Sequence, residues 1–235
     1  MVQRIQKILS DRGIASRRQA EQMITDGRVF CNGAMCFLGQ SADPNVDVIT
    51  VDGKVIPPSS DYVYILLHKP KGYVTTLSDE RGRKNAAMLV ADCGHRVYPV
   101  GRLDMDSEGL LLFTNDGEFA NLMMHPKHQV KKVYQVEVKG FTREGFRQLS
   151  KPIVLDGYRI APPELMLLCE DSERSVLQIT IGEGRNRQVR RMCARAGMQV
   201  KRLVRIQEGS LTLGDLPVGK WRYLTELEIK ELKHE

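Results

Sequence analysis

The chain of 235 residues lacks any apolar run of about eighteen residues, the length from which a membrane-spanning helix is recognised. Its first residues also lack the apolar stretch of a secretory signal, because an amphipathic pattern begins almost at once. We therefore expect a cytoplasmic protein without a membrane anchor. The apolar and charged fractions, 42% and 27%, are those of an ordinary folded protein, so wholesale disorder is not expected.

Disulfide and metal-site patterns are missing as well. The five cysteines are odd in number and scattered, with no pair at C-x-x-C spacing. This distribution predicts reduced thiols and argues against a disulfide framework or a zinc site. His125 and His128 lie close in sequence, but no cysteine or acidic residue stands at metal-ligand spacing from them, so a surface loop is predicted.

Positive charge is concentrated in one segment. The whole chain carries a net +6, whereas residues 182–205 alone carry +7 because Glu183 is their single acid. The basic residues of this segment are Arg185, Arg187, Arg190, Arg191, Arg195, Lys201, Arg202 and Arg205. Such a stripe is typical of a surface that contacts a phosphate backbone. A solvated basic helix without a partner is the alternative.

The first 58 residues predict a small module of two helices and a β-ribbon. Apolar residues recur at helical spacing from Ile5 and from Ala20, and Ser16 with Gln19 has the pattern of a capping box. Strands are predicted at 29–31, 35–38, 48–51 and 54–56, with hairpin signals at 32–33 and 52–53. Residues 57–61, with two prolines and small polar side chains, are interpreted as an interdomain linker.

Residues 62–235 predict a second, α+β domain with a largely antiparallel sheet. Its strands are expected at 62–67, 98–100, 110–114, 134–138, 176–181 and 200–206, and its helices at 118–124, 142–149 and 186–196. No internal repeat is present.

The most unusual local feature is an acidic loop with Asp104, Asp106 and Glu108 at alternate positions, followed by Gly109. The spacing is similar to the start of a calcium-binding EF-hand loop. That loop needs a glutamate six residues after its glycine, where this chain has Asn115, and an apolar strand follows directly. A calcium site is therefore not expected. A metal-dependent nuclease built on the acidic cluster remains an alternative.

Asp104 differs from the other two acids in having Arg102 two residues before it. In an extended segment, side chains two residues apart point to the same side. The spacing therefore allows Asp104 and Arg102 to lie together at the mouth of the sheet, equally as part of a site or as an ion pair with only a structural role. Asp106 and Glu108 are interpreted as simple surface acids beside a turn.

Five further segments carry motifs in a fixed order along the chain: 69–72, 101–117, 132–134, 183–192 and 202–205. Together they resemble the RsuA/RluB/RluE/RluF family of bacterial ribosomal RNA pseudouridine synthases, and the resemblance extends over nearly the whole chain. Residues 2–58 are similar to the S4-type RNA-binding module, through 16–21, 27–29 and 32–33. For Arg17 and Arg18 in that module, an ordinary solvated face is the alternative.

The resemblance implies an isomerisation of uridine to pseudouridine without cofactor or metal. The family's catalytic aspartate falls on Asp104, whose carboxylate either attacks the anomeric carbon or assists a glycal route. Tyr134 matches the tyrosine that stacks on the flipped base, and Arg190 matches the basic partner of the aspartate. Leu203 matches an apolar residue of the uracil pocket. Without the resemblance, Tyr134 is an ordinary strand tyrosine, and core packing is an equally natural role for Leu203.

The resemblance also implies RNA contacts and a domain plan. The expected substrate-binding residues besides Leu203 are Lys69, Lys71, Lys132, Arg185, Arg187, Arg191 and Arg205 in a catalytic domain at 62–235, with Arg17 and Arg18 in an S4-like domain at 1–58. Segments 122–126 and 183–187 look more like the members that act on large-subunit RNA. The alternatives are a small-subunit target and a non-catalytic RNA-binding or ribosome-assembly protein. A monomer is expected.

Overall fold

The computed structural model describes residues 1–58, 61–77, 79–171 and 173–234 and divides the chain into two compact units. Unit 1 comprises residues 1–63 with 115–117, and unit 2 comprises 64–114 with 118–235. Ser59 and Ser60 of the predicted linker lie outside the described residues. Within the described part of the chain, every helix is too short or too polar to span a bilayer.

Unit 1 consists of two helices and two small sheets. The helices are α1 (Ile5–Asp11) and α2 (Arg17–Thr25). The strands are β1 (Gln3–Arg4), β2 (Val29–Cys31), β3 (Ala34–Met35), β4 (Ser41–Ala42), β5 (Ile49–Val51) and β6 (Lys54–Val55). An antiparallel sheet has the order β3-β2-β5-β6, and β1 pairs with β4.

Local sequence signals explain how unit 1 begins and turns. The predicted capping box is confirmed, because Ser16 Oγ accepts a hydrogen bond from Gln19 N and Gln19 Oε1 accepts one from Ser16 N. Asn32 and Gly33 both have positive φ, at 52° and 81°, as a two-residue hairpin turn requires. The predicted strand at 35–38 is wrong in extent: β3 ends at Met35, and the residues beyond it make no further strand pairs.

Unit 2 is built on a nine-stranded sheet. Its strands are β7 (Tyr64–Lys69), β8 (Tyr98–Val100), β9 (Glu108–Thr114), β10 (Lys132–Lys139), β13 (Glu164–Glu170), β14 (Ser175–Ile181), β15 (Gln199–Glu208), β16 (Leu211–Thr212) and β17 (Trp221–Tyr223), with the separate hairpin β11 (Ile153–Leu155) and β12 (Tyr158–Ile160). The order is β13-β14-β10-β15-β9-β7-β17; β8 also pairs with β9 and β16 with β15. Only the β9–β15 pairing is parallel among the described strands, so the predicted α+β fold with a largely antiparallel sheet is confirmed.

Helices flank this sheet. They are α3 (Gly117–Met124), α4 (Arg143–Leu149), α5 (Gln188–Arg195) and α6 (Glu226–Lys233), with 3-10 helices at Ala86–Cys93 and Pro126–His128. Phe119 of α3 and Leu232 of α6 join Leu66, Leu110 and Leu112 of the central strands in one buried apolar cluster. This cluster fixes one face of the sheet beneath the two helices.

The parallel pairing determines where the acidic loop lies. Glu108 and Gly109, at the start of β9, lie opposite Val204 and Arg205 of β15, and Arg205 in turn lies opposite Tyr134 of β10. The loop before β9 therefore reaches the same end of the sheet as Tyr134. Gly109 is required at this point, since its φ is +110° and a Cβ would lie 2.2 Å from the Arg205 carbonyl oxygen.

The predicted elements of unit 2 shift in places. The strand predicted at 62–67 runs from Tyr64 to Lys69. The helix predicted at 186–196 begins at Gln188, because Arg187 takes a left-handed conformation with φ 48°. The β11–β12 hairpin, β13, β17 and α6 were not predicted.

Candidate active site

An open cavity of about 870 Å³ lies in unit 2, next to the acidic loop. Its walls come from the acidic loop, from residues 74–76, and from residues 184–189 before and at the start of α5. Tyr134, Leu203 and Arg205 of the sheet also line it. The predicted site residues Asp104, Arg102, Lys132, Arg185 and Arg187 lie on these same walls.

The backbone of the acidic loop is fixed by the chain that follows β7. Thr75 Oγ1 donates to the carbonyl of Leu103 at 2.7 Å and accepts from its N–H at 3.2 Å. The Gly72 N–H donates to the Met105 carbonyl at 2.8 Å. A turn closes where the Ser107 N–H donates to the Asp104 carbonyl at 3.1 Å. These hydrogen bonds fix the turn that carries Asp104, and 28% of the Asp104 side chain is exposed.

Lys69 supports the same turn from below. It is 0% exposed, and its Nζ donates to the carbonyls of Pro70, Asp104 and Ser107 at 3.0, 3.1 and 2.8 Å. Burial lowers the pKa of this amine to about 8, against the opposing pull of the nearby carboxylates. The prediction that Lys69 contacts RNA is wrong, because the cation is enclosed by backbone carbonyls.

The acid–arginine pairing differs from the prediction. Within the described residues, the arginine nearest to Asp104 is Arg187, whose Nη1 lies 3.7 Å from Asp104 Oδ2, and no ion pair joins Asp104 to Arg102 or Arg190. Arg102 is exposed at the cavity wall. Arg190 instead reaches Asp106, donating to its carbonyl at 2.7 Å. Arg187, at the N-terminus of α5, comes close to Asp104 through the tertiary fold, which spacing along the sequence does not indicate.

Asp106 is not a simple surface acid. Both of its carboxylate oxygens accept from Arg187 at 2.9 Å, and Arg190 Nε lies 3.4 Å from Oδ2. The hydrogen bonds from Arg187 lower the pKa of Asp106 against the effect of burial. Asp106 thus ties the acidic loop to the first turn of α5.

The interpretation of Glu108 as a simple surface acid is also wrong, because only 8% of this residue is exposed. Burial by itself raises the pKa of Glu108, but hydrogen bonds and charges from Arg202 and Lys71 outweigh it, so the pKa is lowered. The Arg202 guanidinium binds both carboxylate oxygens, at 3.2 and 3.0 Å, and Lys71 Nζ lies 3.4 Å away. Lys71, with 46% of its side chain exposed, keeps part of its surface for other contacts.

A buried polar cluster forms the floor of the cavity. Arg205 Nη2 lies 3.1 Å from Glu208 Oε2, with both side chains 3% exposed, and Arg205 Nε donates to the Leu110 carbonyl at 2.8 Å. Tyr134 is 8% exposed and lies opposite Arg205 in the β10–β15 pairing, and burial raises the pKa of its hydroxyl. Lys132 Nζ lies 3.9 Å from Glu208, and burial lowers its pKa. The cluster holds the Tyr134 ring in a fixed place on the wall.

The remaining predicted residues lie in three places. Leu203 is 4% exposed and lines the cavity beside Tyr134. Arg191 points away to the β11–β12 hairpin, where it pairs with Asp156. Arg17 and Arg18 are exposed on the first turn of α2 in unit 1.

Comparison with known proteins identifies the class of this site. The model of the RNA pseudouridylate synthase family matches residues 63–195, and the model of the S4 domain matches residues 3–36. The chain belongs to the RNA pseudouridylate synthase family. In this pseudouridine synthase, Asp104 and Tyr134 both line the cavity beside the acidic loop.

Two similar proteins and one solved structure extend the match over the full length. The chain is 42% identical over 236 residues to ribosomal large subunit pseudouridine synthase B of Bacillus subtilis (strain 168), covering 99% of this chain and 96% of that one. It is 36% identical to the dual-specificity RNA pseudouridine synthase RluF of Escherichia coli (strain K12), covering 97% and 78%. A crystal structure of a pseudouridylate synthase has a TM-score of 0.69 at 29% identity, covering 97% of this chain and 99% of that one.

Sequence reasoning missed several residues of this pseudouridine synthase site. Thr75 and Asp79 line the cavity, and Asp79 binds Arg83 through two carboxylate oxygens. Glu208 completes the buried cluster. A signal existed only for Glu208, which follows Arg205 by three residues at the end of an apolar strand, where a buried arginine needs an acidic partner.

Proposed function

We propose that this pseudouridine synthase isomerises a specific uridine of large-subunit ribosomal RNA, with Asp104 as the carboxylate that acts on the sugar. The supporting observation is the place of Asp104 in the wall of a cavity that Tyr134 and Leu203 also line. The name of the B. subtilis relative supports the large subunit as the target. The dual-specificity name of the E. coli relative keeps a second RNA target as an alternative.

The chemistry follows from what a carboxylate can do at an anomeric carbon. As a nucleophile, Asp104 forms a bond to C1′ while the C1′–N1 bond breaks and its electron pair goes to the uracil. In the glycal route, the carboxylate assists loss of the 2′ proton as the same bond breaks. In the nucleophilic route, C5 of the turned uracil then bonds to C1′ as the C1′–Asp104 bond breaks and its electron pair returns to the carboxylate. In the glycal route, C5 bonds to C1′ as C2′ regains its proton. In both routes, the proton on C5 then leaves and N1 gains one.

The surrounding side chains suit that sequence of steps. A flipped uracil needs a flat apolar surface that holds it after the bond to ribose breaks. The Tyr134 ring and Leu203 offer this surface on the cavity wall, and we assign them to the base. Arg187, with 44% of its side chain exposed 3.7 Å from Asp104, is suited to a phosphate of the target nucleotide.

We further propose the domain plan of an S4-like RNA-binding domain at 1–58 and a catalytic domain at 62–235. Arg17 and Arg18 on the first domain, and Lys71 and Arg191 on the second, are assigned to RNA phosphates because they leave part of their cationic side chains exposed. Arg185, also partly exposed, is assigned to RNA contact. A monomer in the cytoplasm is proposed as the working form.

The test compares wild type with Asp104→Asn on unmodified large- and small-subunit ribosomal RNA transcripts, followed by mapping of pseudouridine. The isosteric variant removes the nucleophile, so we expect turnover to fall by roughly a thousandfold or more with an unchanged melting temperature. Asp215→Asn, at an exposed position, is the matched control and should retain wild-type turnover. Equal product from Asp104→Asn would reject the assignment of Asp104, and product only on small-subunit RNA would reject the target.

A further inference from the structure

The β11–β12 hairpin carries an anchored turn next to the basic segment. Asp156 and Gly157 form the turn with φ of 52° and 79°. Arg191 of α5 binds both carboxylate oxygens of Asp156 at 2.6 Å. Two parallel, charge-assisted hydrogen bonds fix direction as well as distance, so the residue after the turn has a defined place relative to α5.

That residue is Tyr158, and Arg185 covers one part of its ring. The central guanidinium carbon of Arg185 lies 4.0 Å from the ring centroid, while Tyr158 remains 57% exposed. Arg185 is itself held in place, because its N–H donates to Gln188 Oε1 at 2.9 Å and its Nε lies 3.2 Å from Glu183. The result is a flat surface of ring and guanidinium that keeps much of its area open to solvent.

This surface continues from the cavity, since Arg185 lines the cavity as well as contacting Tyr158. An aromatic ring and a guanidinium are the two side-chain groups on which unpaired nucleobases stack. The exposed side chains of Arg159 and Arg187 add positive charge nearby in sequence, as a nucleic-acid strand requires.

We propose that the Arg185–Tyr158 surface is a second nucleobase-binding site, which stacks one unpaired base of the RNA strand near the target uridine. The inference rests on the proposed function, because it is the strand leading into the cavity that presents this base. The site takes any of the four bases through its π-face, and stacking favours none of them by hydrogen bonding. It holds the strand that enters the cavity, and it takes no part in the bond changes.

The first experiment separates binding from chemistry. Tyr158→Ala should raise KM for the RNA by roughly 5- to 30-fold and leave kcat unchanged, since stacking of a base on an aromatic ring contributes about 1–2 kcal/mol here. Tyr158→Phe should stay within about twofold of wild type because it keeps the ring. Phe141→Ala, which removes a ring that faces Arg143 at 5.7 Å, is the matched control and should leave KM unchanged.

The second experiment asks whether a particular base is bound. Synthetic RNA fragments around the mapped uridine carry one abasic nucleotide at each flanking position in turn. For wild type, we expect one position at which loss of the base raises KM, and in Tyr158→Ala this penalty should disappear. A role of Tyr158 in hairpin packing alone leaves the penalty the same in both proteins.

The outcomes keep the two proposals apart. If wild type forms no pseudouridine on any ribosomal transcript, the proposed function fails first. If wild type is active but shows no abasic penalty at any flanking position, or if Tyr158→Ala keeps the penalty that wild type shows, the second base site is rejected while the proposed function stands.

Discussion

Arg187 is bound by both carboxylate oxygens of Asp106, at 2.9 Å each, although it also lies 3.7 Å from Asp104. The Arg187 guanidinium therefore lies near two carboxylates, and its bidentate hydrogen bonds make Asp106 its main partner. Arg190 also binds Asp106, because its Nη2 donates to the Asp106 carbonyl at 2.7 Å. Asp106 thereby keeps two cations from forming a close ion pair with the carboxylate assigned to the chemistry.

We predict that Asp106→Asn slows turnover by roughly tenfold or more, because the released Arg187 pairs closely with Asp104 and makes its carboxylate a poorer nucleophile. Single-turnover rates at saturating enzyme measure this effect apart from RNA affinity. Asp106→Glu should recover part of the rate. Asp52→Asn, which loses a comparable pair with Arg28 in unit 1, should behave as wild type. A wild-type rate for Asp106→Asn would contradict this role.

The acid–arginine pairs show which parts of the site could not be predicted from the sequence. Asp106 and Arg187 are 81 residues apart, and Glu108 and Arg202 are 94 apart. These residues come together because β9 pairs in parallel with β15, and no local sequence pattern predicts that pairing. Spacing rules apply within one element, so they offered Arg102 as one possible neighbour of Asp104. They could not indicate Arg187, which approaches Asp104 only through the tertiary fold.

Elements with strong local signals were predicted well. The capping box at Ser16 and the hairpin turn at Asn32 and Gly33 are set by hydrogen bonds within a few residues, and both are present. The β13 strand was missed because its residues alternate only weakly, with Met166 and Leu168 exposed. Its place at the sheet edge comes from pairing with β14, a tertiary effect.

Gly109 is predicted to be essential for the fold of unit 2. In Gly109→Ala, the new Cβ would lie 2.2 Å from the Arg205 carbonyl oxygen, and β9 and β15 must separate to avoid it. We expect the free energy of unfolding to fall by roughly 3 kcal/mol or more in urea denaturation. Gly214→Ala, also at positive φ but with open space around it, isolates the conformational part, which should be about 1 kcal/mol. Equal losses in the two variants would contradict the steric explanation.

Lys69 is predicted to make stability depend on pH in alkaline solution. Its pKa is lowered from 10.5 to about 8 by burial, so between these values the unfolded chain binds a proton that the folded chain has released. Stability therefore rises with pH across this window, and Lys69→Met abolishes that rise. The unfolding free energy of wild type minus that of Lys69→Met should grow by up to roughly 3 kcal/mol from pH 8 to 10.5.

Urea denaturation at several pH values in this range measures that difference. Lys54→Met, at an exposed position, supplies the baseline for losing a lysine. A difference between wild type and Lys69→Met that stays constant from pH 8 to 10.5 would show that the buried amine does not titrate there.

Removing either partner of the Arg205–Glu208 pair is predicted to lower stability, and removing both is predicted to cost less than the sum of the two single losses. Each side chain is 3% exposed, so Glu208→Leu leaves the Arg205 charge buried without its acidic partner and should lower stability by about 3–5 kcal/mol. Arg205→Met should cost less, because Lys132 still lies 3.9 Å from Glu208. The double variant removes both charges of the pair but also takes the acidic partner from Lys132, and its loss should be below the sum of the single losses in a double-mutant cycle. Arg143→Met, which breaks an exposed pair with Glu170, should cost less than about 1 kcal/mol. Additive losses would mean that the two charges do not compensate each other, and the fixed place of Tyr134 beside Arg205 would then need another cause.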